Sequence, residues 1–143
     1  MNLREQLIGF EGYKHNAYPD PLTGAEPWTI GVGHTGPEVK KDSVWTDEQI
    51  NQALDADIAQ KISQCRQMFP WFDRLNEPRQ AVIVGMCFQM GINRLLKFQN
   101  TLASVRDERY ANAAEGMRQS QWARQTPKRA YRLAHQMETG EWS

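Results

Sequence analysis

The sequence predicts a mainly helical α+β fold with two lobes, in which a long helix joins a small antiparallel sheet lobe to a helical lobe. Short alternating stretches and turn residues are confined to residues 13–45. Residues 46–68 then carry apolar side chains at four-residue spacing, as one long helix would. We predict a single domain over residues 1–143, with the sheet lobe at 13–45, the bridging helix at 46–68 and the helical lobe at 1–12 and 69–143.

The composition argues against several classes of protein. The chain has 17 basic and 17 acidic residues, so it lacks the basic excess of an extended nucleic-acid interface. No apolar run has the length of a membrane span, and no charged segment followed by an apolar one indicates a signal peptide. Two cysteines do not make a disulfide framework, and the three histidines lack the spacing of a metal site. We therefore expect no metal and no cofactor.

The first segment ends on a candidate catalytic carboxyl group. Asn2 and Glu5 form a predicted capping box, Leu7 belongs to an apolar face, and Gly12 is a helix stop. Glu11 therefore lies in the last turn of a helix, where outward-pointing carbonyl groups disfavour a negative charge. A carboxyl group that keeps its proton near neutral pH is what a general acid requires.

A second carboxylate, Asp20, follows at a predicted turn. Residues 28–32 alternate as a strand, which we expect to pair with a weaker strand at 13–19. One face of residues 28–32 is bulky and apolar and belongs in the core, whereas the other carries Thr29 and glycines and leaves room for a large ligand. Two carboxylates brought together across a hairpin, Glu11 and Asp20, are what glycoside hydrolysis uses. Thr29 beside them is a candidate for positioning a water molecule.

The bridging helix begins at a capping box formed by Thr46 and Gln49. At a rise of about 1.5 Å per residue it spans roughly 30 Å, which is long enough to join two lobes. We expect a third short strand before it, within residues 39–45. We also expect His34 to lie near Asp57, although two solvated polar groups explain the sequence equally well.

The helical lobe is predicted to surround one buried helix. Residues 81–90 are apolar on nearly every side, and Asn76 is a cap that can start this helix. Gln89 is the polar exception, because its amide either meets sugar amides or is hydrogen-bonded inside the core. Thr126 and Pro127 predict the start of the last helix, with Thr126 as its cap.

Several of these stretches resemble the phage lysozymes, the endolysins of the T-even phage type. The matching motifs, spread over residues 2–142, are Glu11-Gly12, Asp20, Trp-Thr-Ile-Gly-Val-Gly-His at 28–34, Phe-Gln-Met-Gly at 88–91, Gln-Thr-Pro-Lys-Arg at 125–129 and Thr-Gly-Glu-Trp at 139–142. The resemblance implies a muramidase that hydrolyses the β-1,4 linkage between N-acetylmuramic acid and N-acetylglucosamine in peptidoglycan. It implies Glu11 as the general acid, Asp20 as the carboxylate that helps to place the attacking water, and Thr29 as its helper. The reaction would be inverting, with the two carboxyl groups about 6.5–9.5 Å apart.

The resemblance also carries expectations for residues outside the hairpin. We expect substrate contacts at Thr35, Phe88, Gln89 and Thr101, with His34 and Arg129 as supporting residues. In the family the position of Arg129 pairs with the catalytic Glu, and a cation there would favour the ionised form of Glu11 against the effect of the helix end. A further family contact falls on Gly116, which has no side chain.

The hairpin departs from the family pattern. Eight residues separate Asp20 from Thr29 where the family has five, so a literal count puts Glu26 in the place of Thr29. Because the Trp-Thr-Ile-Gly sequence is intact, we interpret residues 22–27 as a hairpin tip lengthened by three residues.

Partners and location follow from the same resemblance. The expected partner is the glycan strand of peptidoglycan, and we expect a monomer with no nucleic-acid partner and no stable membrane association. We expect the protein to stay in the host cytoplasm until a holin gives it access to the periplasm and cell wall, unless a virion delivers it.

Three other interpretations stay open from the sequence. A non-catalytic peptidoglycan-binding module could keep the same fold. A lytic transglycosylase needs one catalytic carboxylate and no water-placing partner, so Asp20 argues against it. A basic face could bind anionic wall polymers or lipopolysaccharide, or be merely solvated, and its members are Arg118, Arg124, Lys128, Arg129 and Arg132.

Overall fold

The computed structural model describes residues 1–143 and contains eight α-helices and one three-stranded antiparallel sheet. The chain forms two compact units: Arg4–Gln60, called the sheet unit below, and Met1–Leu3 with Lys61–Ser143, called the helical unit. An N-terminal helix precedes the small sheet, and a long helix and shorter helices follow it. This order confirms the predicted mainly helical α+β fold.

Helix α1 spans Leu3–Glu11 and ends where the sequence predicts. The next residue, Gly12, has a φ of +85°, and its N–H donates to the carbonyl oxygen of Ile8 over 2.9 Å. Glycine adopts a positive φ at no steric cost, so this position can close the helix while its last carbonyl groups remain satisfied. Glu11 is thereby fixed as the final helical residue.

The sheet contains β1 (Lys14–Tyr18), β2 (Thr29–Gly31) and β3 (His34–Thr35), paired in that order. The expectation of a third strand within residues 39–45 is wrong, because that stretch contributes only an isolated bridge between Val44 and Asn16. The chain instead turns back directly after β2, since Gly31 and Gly33 have φ values of +67° and +63°.

The prediction that the glycine face of residues 28–32 leaves room for a large ligand is also wrong. The strand ends at Gly31, and this residue is buried rather than open to a ligand. A Cβ atom at position 31 would lie 3.4 Å from Cγ2 of Ile50 and 3.6 Å from the ring of Trp45. The missing side chain therefore makes room for core packing. The opposite face behaves as predicted at Ile30 and Val32, which are buried, whereas Trp28 is half-buried.

Helix α2 spans Asp47–Met68 and begins with the predicted capping box. The backbone N–H of Thr46 donates to Oε1 of Gln49 over 2.8 Å, and the N–H of Gln49 donates to Oγ1 of Thr46 over 3.2 Å. Ile50 and Leu54 are buried on its apolar side, as their spacing predicts. The two side chains thus satisfy two backbone donors that the first helical turn leaves open.

The helical unit is organised around α3, which spans Glu77–Met90. Asn76 caps it, because its side-chain oxygen accepts from the N–H of Arg79 over 3.0 Å. Every residue from Ala81 to Cys87 is buried, which confirms the prediction of a central helix. A 3₁₀ turn, Phe72–Arg74, precedes it within an apolar cluster formed by Phe69, Trp71, Phe72 and Leu75.

Five further helices complete this unit: α4 (Ile92–Leu95), α5 (Gln99–Arg106), α6 (Tyr110–Arg118), α7 (Gln121–Gln125) and α8 (Pro127–Thr139). Helix α6 packs on α5 and α8, and α8 also contacts α3 and α7. Helix α8 begins at Pro127 as predicted, but Thr126 does not cap it with its side chain. The hydroxyl of Thr126 instead donates to the carbonyl oxygen of Trp122 over 3.2 Å.

None of the helices combines the length and the apolar character that crossing a bilayer requires.

Candidate active site

The backbone of the turn after β2 approaches the side chain of Glu11 closely. Gly33 faces it, and a Cβ atom at position 33 would lie 3.0 Å from Oε1 of Glu11 and 3.1 Å from its Cδ. Gly33 also has a φ of +63°, so the backbone conformation and the close contact both require glycine. The turn after β2 therefore forms one wall around the half-buried carboxyl group.

Tyr18 lies beside the same carboxyl group. Burial raises the pKa of Tyr18, and the negative charge of Glu11 raises this pKa further, so its phenol stays protonated. Tyr18 is the last residue of β1 and is the cross-strand partner of Thr29. The pairing of β1 with β2 thus places Tyr18, which lies close to Glu11, opposite Thr29.

Asp20 begins the lengthened hairpin tip and is partly used to hold it. Its Oδ1 accepts from the N–H of Leu22 over 2.7 Å and from the N–H of Thr23 over 3.4 Å. The backbone of Asp20 also bonds to Gly24 and Ala25, which closes the tip on itself. Oδ2 of Asp20 accepts no hydrogen bond from the protein, so one carboxylate oxygen remains available to water or substrate.

Thr29 and Glu26 are the two residues that the sequence offers for helping to place the attacking water, and the structure locates both of them. Thr29 lies on β2, between Tyr18 and Thr35 in the neighbouring strands. Glu26 lies outside the strands, exposed on the hairpin tip. Residues 22–27 thus lie between the strands, whereas Thr29 lies within the sheet.

His34, on β3, contacts both α2 and the loop that follows β3 through its two ring nitrogens. Its Nδ1 is 2.6 Å from Oδ2 of Asp57, and its Nε2 is 2.6 Å from Oε1 of Glu38. The hydrogen bond with Asp57, supported by the one with Glu38, outweighs burial and raises the pKa of His34 to about 9. The contact predicted with Asp57 is present. Because both ring nitrogens are engaged, His34 is charged at neutral pH and is not free to act as a base.

In the helical unit, Phe88 and Gln89 lie half-buried near the end of α3. The sequence left two roles for Gln89, and the structure gives it a protein partner: Nε1 of Trp122 donates to its Oε1 over 2.9 Å. The indole of Trp122 also meets the ring of Phe98 edge to face, with centroids 6.1 Å apart. The side-chain oxygen of Gln89 is therefore occupied, whereas its NH₂ group keeps donors for another partner.

Thr101, on α5, packs against a glycine on the neighbouring helix. A Cβ atom at Gly116 would lie 2.5 Å from Oγ1 of Thr101, so any larger residue there would displace this hydroxyl. The absent side chain at Gly116 thus makes room for Thr101, which is itself buried.

Arg129 is buried on α8, and its Nη2 donates to the carbonyl oxygen of Gly85 over 3.3 Å. This burial removes Arg129 from the basic face considered above. Arg118 leaves that face as well, because it is half-buried and pairs with Glu138 over 3.2 Å. The other members of that face, Arg124, Lys128 and Arg132, are exposed.

Several known proteins are similar to this chain in sequence. The sequence profile described as Phage lysozyme matches residues 8–137, which is most of the chain. The chain belongs to the phage lysozyme family. It is 35% identical to Probable T4-type lysozyme 2 of Dictyostelium discoideum, over 97% of this chain and 95% of that protein. It is 27% identical to Probable T4-type lysozyme 1 of the same organism, again over 97% and 95% of the two chains.

A viral relative is much longer than this phage lysozyme family member. The chain is 30% identical to Peptidoglycan hydrolase gp36 of Pseudomonas phage phiKMV, over 91% of this chain but 14% of that protein. The family membership makes the chain an enzyme of the lysozyme and peptidoglycan hydrolase type. The individual roles expected for the site residues stay predictions.

Two residues at this phage lysozyme site were not found by sequence reasoning. Tyr18 had a usable signal, because a hairpin centred on the turn after Asp20 brings the end of β1 opposite Thr29. No sequence signal pointed to Glu38. It lies four residues after His34, but in a loop, where a spacing of four residues does not predict that two side chains are in contact.

Proposed function

We propose that this chain hydrolyses the β-1,4 linkage between N-acetylmuramic acid and N-acetylglucosamine in peptidoglycan, with inversion at the anomeric carbon. Glu11 is the general acid that protonates the leaving oxygen. Asp20 and Thr29 hold the attacking water on the other side of the sugar ring. Thr35, Phe88, Gln89 and Thr101 are the proposed saccharide contacts, and two carboxyl groups with water suffice for the chemistry without a cofactor.

The half-buried Glu11 carboxyl group, enclosed by Gly33 and beside Tyr18, carries this proposal. Glu11 is the last residue of α1, and the turn after β2 approaches it closely, so the position of its carboxyl group is fixed. The free Oδ2 of Asp20 and the hydroxyl of Thr29 are the groups of the same unit that suit water placement.

The test is hydrolysis of purified peptidoglycan by the native protein and by Glu11→Gln, with circular dichroism to confirm that both are folded. We expect the Gln variant to lose activity by at least about a thousandfold, because the proton donor is removed without a change of shape. Glu141→Gln, at an exposed carboxyl group near the C-terminus, is the control and should keep native activity.

Retention of activity in a folded Glu11→Gln variant would remove Glu11 from its proposed role. An inactive native protein that still binds peptidoglycan would favour the non-catalytic binding module, with the lengthened tip displacing Asp20 or Thr29. The products separate the remaining alternatives: an α-anomer released first supports inversion, a β-anomer indicates retention, and a 1,6-anhydro sugar identifies a transglycosylase.

We also propose that the protein resides in the host cytoplasm until a holin, or delivery by a virion, gives it access to the wall. The reason is that the proposed substrate lies outside the cytoplasmic membrane. Expression in a bacterial host should leave the culture intact until a membrane-permeabilising agent is added, and optical density should then fall. Lysis without any such agent would contradict this location.

A further inference from the structure

The sequence provides two cysteines, too few for a disulfide framework, but the fold brings their thiol groups together. Cys65 lies on α2 and Cys87 on α3, and a hydrogen bond joins the two side chains. Both residues are fully buried within the helical unit. Neither takes part in the proposed hydrolysis, so the contact between them is a feature that the proposed function does not explain.

Polar neighbours distinguish this thiol pair from ordinary apolar core residues. The Sγ of Cys87 donates to Oε1 of Gln64 over 3.7 Å, and the positive charge of Lys61 acts on both sulfur atoms. Lys61 and Cys65 are four residues apart on α2, which places them on the same side of the helix. A cation beside a thiol favours the thiolate, which is the reactive form of cysteine.

The two thiols differ in how readily they ionise. The hydrogen bond from Cys65, together with the charge of Lys61, outweighs burial and lowers the pKa of the Cys87 thiol below its usual value. The same hydrogen bond, together with burial, raises the pKa of the Cys65 thiol. Cys87 is therefore the thiol that ionises first and acts as a nucleophile, and Cys65 is in place to react with it next.

Both cysteines lie in the last turn of their helices. Helix α2 ends at Met68, one turn after Cys65, and α3 ends at Met90, one turn after Cys87. Helix ends open locally at a smaller free-energy cost than that of global unfolding. Such local opening gives a small reagent access to thiols that are buried in the closed state.

We propose that Cys65 and Cys87 are a thiol–disulfide site, which a small disulfide of the glutathione type oxidises to an intramolecular bond between α2 and α3. The Cys87 thiolate attacks the small disulfide and releases one thiol. The Cys65 thiol then loses its proton and attacks the Cys87 sulfur, which releases the second thiol. Two protein thiols are thereby oxidised, and one disulfide is reduced to two thiols.

The bond would make the stability of the helical unit depend on the redox state of its surroundings. A cross-link between Cys65 and Cys87 closes a loop over residues 66–86 and removes conformational entropy from the unfolded chain. The reduced pair suits a reducing cytoplasm and the bonded pair suits the oxidising side of the membrane. This assignment of compartments rests on the proposed function, whereas the chemistry of the pair does not.

The test is incubation of the reduced, folded protein with oxidised glutathione, followed by mass spectrometry and thermal unfolding. We expect a mass lower by two hydrogen atoms, no thiol left for alkylation after denaturation, and no bound glutathione. The Tm should rise by about 5–15 °C and return to its first value when dithiothreitol is added. Thiols that stay free in the folded protein, while the urea-unfolded chain is oxidised, would show an inert core pair and overturn the site. A disulfide that leaves Tm unchanged or lowers it would overturn the stabilising role.

Single variants test the separate parts of the two thiols. Cys65→Ala lacks the second thiol, so it should accumulate one glutathione adduct on Cys87. Cys87→Ala should form its adduct at least about tenfold more slowly, because the remaining thiol has the higher pKa. Neither variant should gain Tm on oxidation, and equal adduct rates would remove Cys87 from its role as the nucleophile.

The Glu11→Gln variant separates this inference from the proposed hydrolysis. It keeps both cysteines and should form the same disulfide with the same rise in Tm. An inactive native protein that forms the bond would leave the thiol–disulfide site standing and count against the hydrolysis. An active native protein whose thiols resist oxidised glutathione would overturn the site and leave the hydrolysis standing.

Discussion

The sheet unit and the helical unit are stabilised by different kinds of contact. Several polar contacts of the sheet unit join two side chains, many of them ionisable: His34 with Asp57 and Glu38, Arg4 with Asp55 and Asn51, and Tyr13 with Asp47. The central polar contacts of the helical unit run from a side chain to a backbone carbonyl group. Among them are Arg79 to Met137 and Glu138, Gln136 to Pro78, and Asn76 to Gly140.

The two units also differ in the apolar side chains that they bury. The sheet unit buries a short set of large apolar side chains: Leu7, Ile30, Val32, Val39, Ile50 and Leu54. The helical unit buries most of α3 together with the inward faces of α6 and α8. A three-stranded sheet with a small core depends more on its polar contacts. The unit that carries Glu11 and Asp20 should therefore respond to pH, whereas the helical unit should respond to lost volume.

Leu133→Ala should have the largest effect on stability. Leu133 is fully buried on α8, and truncating such a side chain removes its transfer free energy and leaves a cavity. We expect a loss of about 2–5 kcal/mol in the free energy of unfolding, measured with urea, and the same loss at pH 5 and pH 9. Leu133→Met keeps most of the volume and is the control, with an expected loss below about 1.5 kcal/mol. A loss that varied with pH would break the comparison between the units.

The second largest expected effect is the dependence of the stability of the sheet unit on pH. The folded pKa of His34 is about 9, above its ordinary value of 6.5, so the folded state binds the proton more tightly. The stabilisation is complete below pH 6.5 and is lost as the pH rises through about 9. Because His34 is partly exposed, we expect about 1–2 kcal/mol after solvent screening. This stabilisation can be measured by hydrogen exchange of the backbone amides of the sheet unit. The exchange rates are followed from pH 6 to 10 and corrected for the intrinsic rates.

Asp57→Asn is the matched control for this dependence. It keeps the size of the side chain but removes the carboxylate whose hydrogen bond contributes most to the raised pKa of His34. The stability of the sheet unit should fall at pH 6, and the decline between pH 6.5 and 9 should become much shallower. An unchanged decline in this variant would mean that another group titrates, and the comparison would then lose its main support.

The two regions also differ in what their sequence reveals. The helical unit follows local rules, so the apolar run at residues 81–90, the cap at Asn76 and the start at Pro127 predict its elements correctly. In the sheet unit the third strand was wrongly expected, because its course depends on two glycines with positive φ rather than on strand propensity. The candidate catalytic residues were recognised from short motifs. Their neighbours Tyr18 and Glu38 come from pairing and loop geometry, which periodicity does not encode.

Gly33→Ala should combine a moderate loss of stability with a larger loss of activity. A residue with a side chain at φ +63° costs about 1 kcal/mol, and its Cβ would press on the Glu11 carboxyl group, 3.0 Å from Oε1. We expect kcat to fall at least about tenfold, because small displacements of a reacting group are costly. Gly24→Ala is the control: it has a similar φ of +69°, and its Cβ would meet nothing within 4 Å. Equal kcat values in the two variants would mean that Gly33 matters only for its backbone.

The smallest expected effects are the losses of stability when a helix cap is removed from each unit. Thr46 caps α2 within the sheet unit, so Thr46→Ala should cost about 0.5–1 kcal/mol. Asn76 caps α3, and its Nδ2 also donates to the carbonyl oxygen of Gly140 over 3.0 Å, so Asn76→Ala should cost about 1–2 kcal/mol. Asn76→Asp keeps the cap but removes the second donor, and it should recover about half of the loss in urea unfolding. If Asn76→Ala cost no more than Thr46→Ala, the side chain-to-backbone contacts of the helical unit would contribute less to its stability than the comparison requires.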